Sequence, residues 1–347
     1  MTESFFKPSP AIFGVGLIGG SLALSLKKAG AVDRVVGVGR SRANLENALD
    51  LGIIDEIVTD PAVAARECET IVLATPVDTM PGLLEIISPF IDKTKVVTDV
   101  GSVKSGVVEA AVAVLGDKTG RFVPGHPIAG KEKSGAGSAV GDLFAQHKVV
   151  LTPLEQTDED ALAKIESMWR LTGAELHEMD VATHDRVLSI TSHLPHLLAY
   201  SMMNYVSDCD EKALCFEMAA GGFNDFTRTA SSDPVMWRDI SLMNRKDLLI
   251  AIAQYQDELA HVKRMVSDGD TAALTDYFEP TSLWLSRLFH PDFSSGNQKL
   301  EYACRIHGLC WSKYRVLFQV PWYLLRLESL AKQSPTDRFP DEYPARP

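Results

Sequence analysis

Gly14, Gly16 and Gly19 punctuate an apolar run between Ala11 and Leu26, and that spacing restricts the fold more than any other feature of the chain. Ala11-Ile-Phe ahead of them reads as a short buried strand. Ser21 to Ala29 behind them reads as a helix, with Leu22, Leu24 and Leu26 and two lysines near its end. Strand, glycine turn and helix in that order open a doubly wound, Rossmann-type dinucleotide-binding domain. Gly14 permits the tight turn, Gly16 lets the backbone approach a pyrophosphate, and Gly19 lets the helix pack closely on the strand. Leu17 and Ile18 complete the cofactor loop, and the N-terminus of the helix that follows presents unpaired N–H groups and the positive end of the dipole to phosphate.

The alternation continues. Arg34 to Gly39 reads as a strand, Ala43 to Leu51 as a helix stopped by Gly52, and Thr70 to Ala74 and Lys95 to Val100 as further strands. Lys148 to Thr152 is expected to extend the same parallel sheet, followed by a helix over Ala161 to Leu171 and a last strand over Ala174 to Met179. Ligands of such sheets sit at the carboxyl ends of the strands, which joins Thr75 and Pro76 to the cofactor loop. NAD-specific domains place a carboxylate at the end of the second strand, for the ribose 2′-hydroxyl. Here Arg40 and Ser41 occupy that place. A guanidinium fork suits a 2′-phosphate, so NADP is expected ahead of NAD. Arg40 stacked on adenine would instead accept either.

From Val181 the period becomes helical, over Val181 to Tyr205, Glu211 to Ala220 and Asp239 to Val266. The last segment carries an apolar stripe from Ile240 through Leu248, Ile252 and Leu259 to Val266. A stripe of that length packs in a bundle or against a second copy, so a homodimer is expected. The resulting organisation is a Rossmann-type α/β domain over residues 1–180, an all-α substrate and dimerisation domain over 181–279, and an atypical tail over 280–347. The tail holds Trp284, Trp311 and Trp322, is basic where the rest of the chain is acidic, and shows no sustained helix or strand period. Pro335 to Pro347 reads as disordered.

A length of 347 residues suits two domains, and 46% hydrophobic with 23% charged residues is the balance of a soluble enzyme. The net charge of -12 argues against nucleic acid and anionic membranes as partners. Five cysteines, an odd number with no Cys-x-x-Cys, fit reduced thiols in the cytoplasm. The opening Met-Thr-Glu-Ser-Phe-Phe-Lys-Pro lacks the basic start and apolar run of a signal peptide. Ala11 to Leu26 is too short and glycine-rich for a membrane span.

Downstream, Phe122-Val-Pro-Gly-His126-Pro-Ile-Ala-Gly-Lys-Glu132 sets a histidine on a loop stiffened by Pro124, Gly125 and Pro127. An imidazole titrates near neutrality and accepts a proton at working pH. Following a cofactor loop, it points to hydride transfer with a positioned base. Gly14 to Ala23, Thr98-Asp-Val-Gly-Ser102-Val-Lys104, Gly125-His126-Pro127, Ser192-His193-Leu-Pro-His196, and Gly221-Gly-Phe-Asn-Asp225-Phe-Thr-Arg228 with Met236-Trp237-Arg238-Asp239 then occur in order. With these motifs, about residues 10–278 resemble the prephenate/arogenate (cyclohexadienyl) dehydrogenase family of tyrosine biosynthesis. No chorismate mutase or regulatory domain is recognisable.

The resemblance implies oxidative decarboxylation of a small cyclohexadienol: hydride leaves ring C4 for NAD(P), the C4 hydroxyl loses its proton, and CO2 departs as the ring aromatises. It implies that His126 is the base and that Ser102 hydrogen-bonds both His126 and the substrate hydroxyl. Read alone, Ser102 is an N-cap for a helix beginning near Lys104. Arg228, among Gly221, Gly222, Phe223 and Phe226, reads as a carboxylate anchor, because a guanidinium there needs an anion. The family pattern pairs Asp225 with it; a plain structural ion pair is the other reading. His196 is a substrate contact by resemblance. His193 and His196, three apart on one helical face, have a metal-ligand spacing, but no third ligand is evident and the family uses none, so no metal is expected. Glu132 matches a family position at the mouth of the site, and Trp237 a family aromatic beside the pocket. By themselves they read as a solvated carboxylate and a packed indole. Two other functions keep the cofactor loop: a β-hydroxyacid dehydrogenase, which relies on a lysine base, and a non-catalytic dinucleotide-binding dimer.

Overall fold

The computed structural model describes residues 9–131 and 135–289. Six strands, β1 (Ala11–Phe13), β2 (Val36–Val38), β3 (Glu56–Val58), β4 (Thr70–Leu73), β5 (Val96–Asp99) and β6 (Phe122–Val123), form one parallel sheet in the order β3-β2-β1-β4-β5-β6. Helices α1 (Leu17–Lys28), α2 (Arg42–Asp50), α3 (Pro61–Glu67), α4 (Met80–Ile87) and α5 (Ser105–Leu115) make the crossovers. Strands β1, β2 and β4 are buried on both faces, so they read as continuous apolar runs. Leu22, Leu26, Ile165 and Trp169 belong to one buried cluster, and Leu84, Ile87, Val107 and Leu115 to another. Each such side chain stabilises the fold by about 1.5–3 kcal/mol on burial.

The chain then leaves this sheet, contrary to the expectation for Lys148 to Thr152. A second sheet pairs β7 (Gly125–Pro127) antiparallel with β8 (Lys148–Leu151), and β8 parallel with β9 (Glu175–Glu178). The physical cause is local. Pro124 has no N–H for a ladder, its carbonyl accepts from Thr152 N (3.0 Å), and the next N–H, of Gly125, donates to Asp99 Oδ1 (3.1 Å). Helix α6 (Glu159–Leu171) precedes β9. His126 thus lies on a short strand, not a loop.

The helical region comprises α7 (Val181–Leu188), α8 (Leu194–Asp208), α9 (Lys212–Glu217), α10 (Gly221–Thr227), α11 (Pro234–Met243), α12 (Arg245–Asp268) and α13 (Thr271–Phe289). The single helix expected over Val181 to Tyr205 contains a π-turn at Ser189–His193. Pro195 follows it and cannot donate to the preceding turn, which favours the wider turn there. The helix expected over Asp239 to Val266 is interrupted at Asn244, whose side chain is drawn to Asp185 and His193. Helix α13 continues through Pro280 to Phe289, so a helix does enter the segment where no period was expected. Residues 290–347, with Trp311, Trp322 and Pro335 to Pro347, lie outside the described residues.

Two compact units are present, Met1–Gln256 and Asp257–Pro347. The first holds both sheets and every site residue discussed below. In the second, His261 and Tyr277 meet edge to face with ring centroids 6.0 Å apart.

Candidate active site

Strand order reverses between β1 and β4, and the crevice at such a point is where doubly wound sheets hold dinucleotides. Gly14 follows β1 at φ +92°, and a Cβ there would lie 2.5 Å from the Ala74 carbonyl oxygen. Gly16 is the N-cap of α1, with no side-chain cap. Nothing lies within 4 Å of where its Cβ would be. The turn is open at Gly16, where the first N–H groups of α1, at Leu17 and Ile18, have no partner within the helix, and an uncapped helix start beside a glycine suits a pyrophosphate. Thr75 and Pro76 form the other lip, with Thr75 N beside Gly14. Past β2, Arg40 is exposed and has no ion-pair partner among the described residues. The Ser41 hydroxyl oxygen accepts from Asn44 N (3.3 Å) and caps α2. Asn44 in turn donates to the Val15 carbonyl (2.8 Å), tying α2 to the glycine turn.

The same edge of the sheet carries the reactive groups. Gly101, after β5, packs against Val77 so closely that a Cβ would lie 2.9 Å from it. This brings the Gly101–Lys104 turn, with Ser102, beside the Thr75–Pro76 lip. Asp99 and Lys104 form a fully buried ion pair. The Asp99 carboxylate also accepts from Gly101 N (2.8 Å) and Gly125 N, while Lys104 Nζ donates to the Gly125 carbonyl (2.8 Å). A buried ion pair is tolerated when its remaining hydrogen-bonding capacity is met, as here. It fixes Gly125, and so the backbone that presents His126.

His126 is 8% exposed. Its Nδ1 lies 2.9 Å from His184 Nε2, and His184 Nδ1 lies 2.8 Å from Asp185 Oδ1. Asp185 Oδ1 accepts from Lys104 N (2.8 Å) and Oδ2 from Ser105 N (2.7 Å), so a carboxylate from α7 caps α5. Burial pushes this carboxyl up, but the hydrogen bonds from His184, Ser105 and Lys104 outweigh it and hold the group below the usual carboxylate range. Burial first, then the charges of His184, Lys104 and His193, hold the His126 pKa well below its ordinary value of 6.5. The His193 pKa is pushed down to about 4, chiefly by burial. Asn244 Nδ2 bridges the Asp185 carbonyl (2.9 Å) and His193 Nδ1 (3.0 Å).

A second wall follows from α8 and α11. His196 stacks on Trp237, centroids 3.7 Å apart and planes 20° apart, and donates Nδ1–H to the Ser192 carbonyl (2.8 Å). Burial, opposed by that bond and aided by the nearby Arg228 charge, lowers its pKa. Trp237 and Ile240 pack against Val103, the neighbour of Ser102.

His126, the Ser102 turn, His196 and Trp237 are thus brought to one region, with Arg228 in electrostatic reach of His196. Ser102 does not cap α5, because Asp185 does so, and the His126 ring bonds His184 rather than Ser102. Asp225 and Arg228 are exposed, and no ion pair joins them. Glu132 lies outside the described residues. His184, Asp185, Lys104, Asp99 and Asn244 were not assigned roles from sequence. His184 and Leu188, four apart on α7, mark the face by which that helix is buried, and the other four carried no such signal. Among the described residues no cluster of His, Cys, Asp and Glu has the form of a metal site.

Fold and site together define a nicotinamide-dinucleotide-binding oxidoreductase with a helical companion domain. Residues 22–178 match the family model described as prephenate dehydrogenase, nucleotide-binding domain, and residues 180–280 the model described as prephenate dehydrogenase, dimerization domain. The prephenate dehydrogenase of Bacillus subtilis is 37% identical over 275 residues, spanning 79% of this chain and 74% of that protein. The cyclohexadienyl dehydrogenase of Zymomonas mobilis is 34% identical over 272 residues, 78% of this chain and 92% of that protein. The crystal structure of Aquifex aeolicus prephenate dehydrogenase with hydroxyphenyl propionate and NAD+ superposes with a TM-score of 0.77 at 34% identity, covering 83% of this chain and 100% of that one. The chain belongs to the prephenate dehydrogenase family.

Proposed function

We propose that this protein catalyses the oxidative decarboxylation of prephenate, arogenate or both, in tyrosine biosynthesis, with hydride transfer to a nicotinamide dinucleotide. The observation that carries the reading is His126: a nearly buried imidazole, held neutral, with Nδ1 tied back and Nε2 left for a substrate. A nicotinamide dinucleotide held by the glycine turn at Gly14 and Gly16 and the Thr75–Pro76 lip would supply the acceptor for the hydride of ring C4. His126 Nε2 takes the C4 hydroxyl proton, and that proton returns to the same oxygen as CO2 leaves and the ring aromatises. The Ser102 hydroxyl orients the substrate hydroxyl beside His126. Arg228, with Asp225 nearby in sequence, anchors a substrate carboxylate against the His196–Trp237 stack. The β-hydroxyacid alternative needs a free lysine, whereas Lys104, whose charge reaches His126, is engaged with Asp99 and Gly125.

Arg40 and Ser41 favour NADP over NAD, since the guanidinium has no ion-pair partner among the described residues and no carboxylate ends β2. The catalytic unit is a homodimer in the cytoplasm, built on residues 181–279. No helix among the described residues is long and apolar enough to cross a membrane.

The test is a pair of variants. H126N is expected to lower kcat by about 10²–10⁴-fold with dinucleotide affinity unchanged. R228A is expected to raise KM by roughly 10–100-fold with a smaller effect on kcat. Unchanged kcat in the first would remove His126 as the base, and a KM within about twofold of wild type in the second would remove the anchor.

A further inference from the structure

An ionised carboxylate only accepts hydrogen bonds, and Asp185 Oδ1 faces His184 Nδ1 at 2.8 Å. The proton of a neutral His184 therefore sits on Nδ1, leaving a lone pair on Nε2. That lone pair stands 2.9 Å from His126 Nδ1. His126 then keeps its own proton on Nδ1, and its bare nitrogen is Nε2.

We propose that His184 and Asp185 are positioning residues which hold His126 in the Nδ1–H tautomer and so make Nε2 the base. The inference rests on the reading of His126 given above. If His184 turned an Nε2–H toward His126 instead, the His126 proton would move to Nε2 and the base would be lost.

The relay is anchored at both ends. Asp185 is pinned by the Lys104 and Ser105 N–H groups at the start of α5, and the Asn244 side chain holds its backbone carbonyl. Gly125, beside His126, is pinned by Asp99 and Lys104. His184 is 0% and Asp185 1% exposed, so water does not compete for either contact. The groups facing His126 are His184 from α7, Lys104 from the turn before α5, and His193 from the π-turn. The Lys104 charge is matched by Asp99. Asp185 is therefore the anion that offsets an imidazolium formed on His126. No proton need leave Nδ1, because the one taken by Nε2 goes back to the substrate oxygen. The arrangement is the logic of a carboxylate orienting a catalytic imidazole, with a second imidazole interposed.

Nitrogen-15 NMR of the full-length protein, labelled at histidine, reads the tautomer directly. The wild type is expected to show His126 protonated at Nδ1 and bare at Nε2. H184F fills the space without an acceptor, and is expected to mix the His126 tautomers. It should lower kcat by about 10²-fold, the low end of what a positioned base contributes, with KM and dinucleotide affinity unchanged. H184Q places its amide oxygen where Nε2 stood, and should recover kcat to within about tenfold of wild type. A wild-type His126 bare at Nδ1 would overturn the proposal, as would H184F retaining both the tautomer and kcat. If H184F does not fold, the wild-type spectrum decides alone. The spectrum needs no turnover, so a wild type inactive toward prephenate and arogenate would refute the proposed reaction without deciding the tautomer.

Discussion

His126 is a base because its surroundings disfavour the charged ring. Burial is the largest cause and the neighbouring charges add to it, so the acid limb of kcat/KM should fall below pH 6.5. A limb centred at or above about pH 7 would contradict this. The same residues link stability to pH. Below 6.5 the unfolded chain protonates His126 and His193, while the folded protein resists until lower pH, about 4 for His193. The unfolded state then binds more protons, so stability falls as pH drops from 6.5, by roughly 3 kcal/mol from His193 alone near pH 4. Urea melts should give a lower midpoint at about pH 5 than at about pH 7, and equal midpoints would count against buried neutral histidines. His126 stood out in the sequence because Pro and Gly flank it after a cofactor loop. His184 and Asp185 did not, because Asp185 meets Lys104 and Ser105 from 81 and 80 residues away in the chain.

Elements with local causes were legible and those with distant causes were not. The β1–glycine turn–α1 unit follows from adjacent residues alone. Lys148 to Leu151 was recognisable as a strand, but its sheet is chosen by Pro124 and by the Asp99 carboxylate catching Gly125. Likewise the apolar stripe predicted a helix across Asn244, and only tertiary contacts with Asp185 and His193 break it. The glycine turn makes a sharp prediction. At Gly19 a Cβ would strike the Gly14 carbonyl oxygen and lie 2.8 Å from Ile12 Cγ2, and the first of these is backbone that cannot rotate away. Gly19→Ala should therefore cost about 1–3 kcal/mol in urea unfolding and weaken dinucleotide binding in a titration. Wild-type values in both would mean α1 does not rest on β1 as described.

Across the molecule, a sheet edge supplies the cofactor crevice and the base, while the helical region supplies the relay and the second wall. Tyr205, Leu214, Met218 and Leu242 remain 73%, 55%, 64% and 64% exposed in the single chain. So much apolar surface on neighbouring helices fits a dimer interface. Sedimentation at micromolar concentration should show twice the chain mass, and a monomer would contradict the proposed assembly. The two candidate substrates differ at one side-chain carbon, keto in prephenate and amino in arogenate. The most direct test gives the purified protein prephenate or arogenate with NADP or NAD, and measures reduced nicotinamide and CO2 together. At least one combination is expected to yield both products in equal amounts, with NADP the better acceptor. Reduced nicotinamide without CO2, or neither product from a folded protein in all four mixtures, would contradict it.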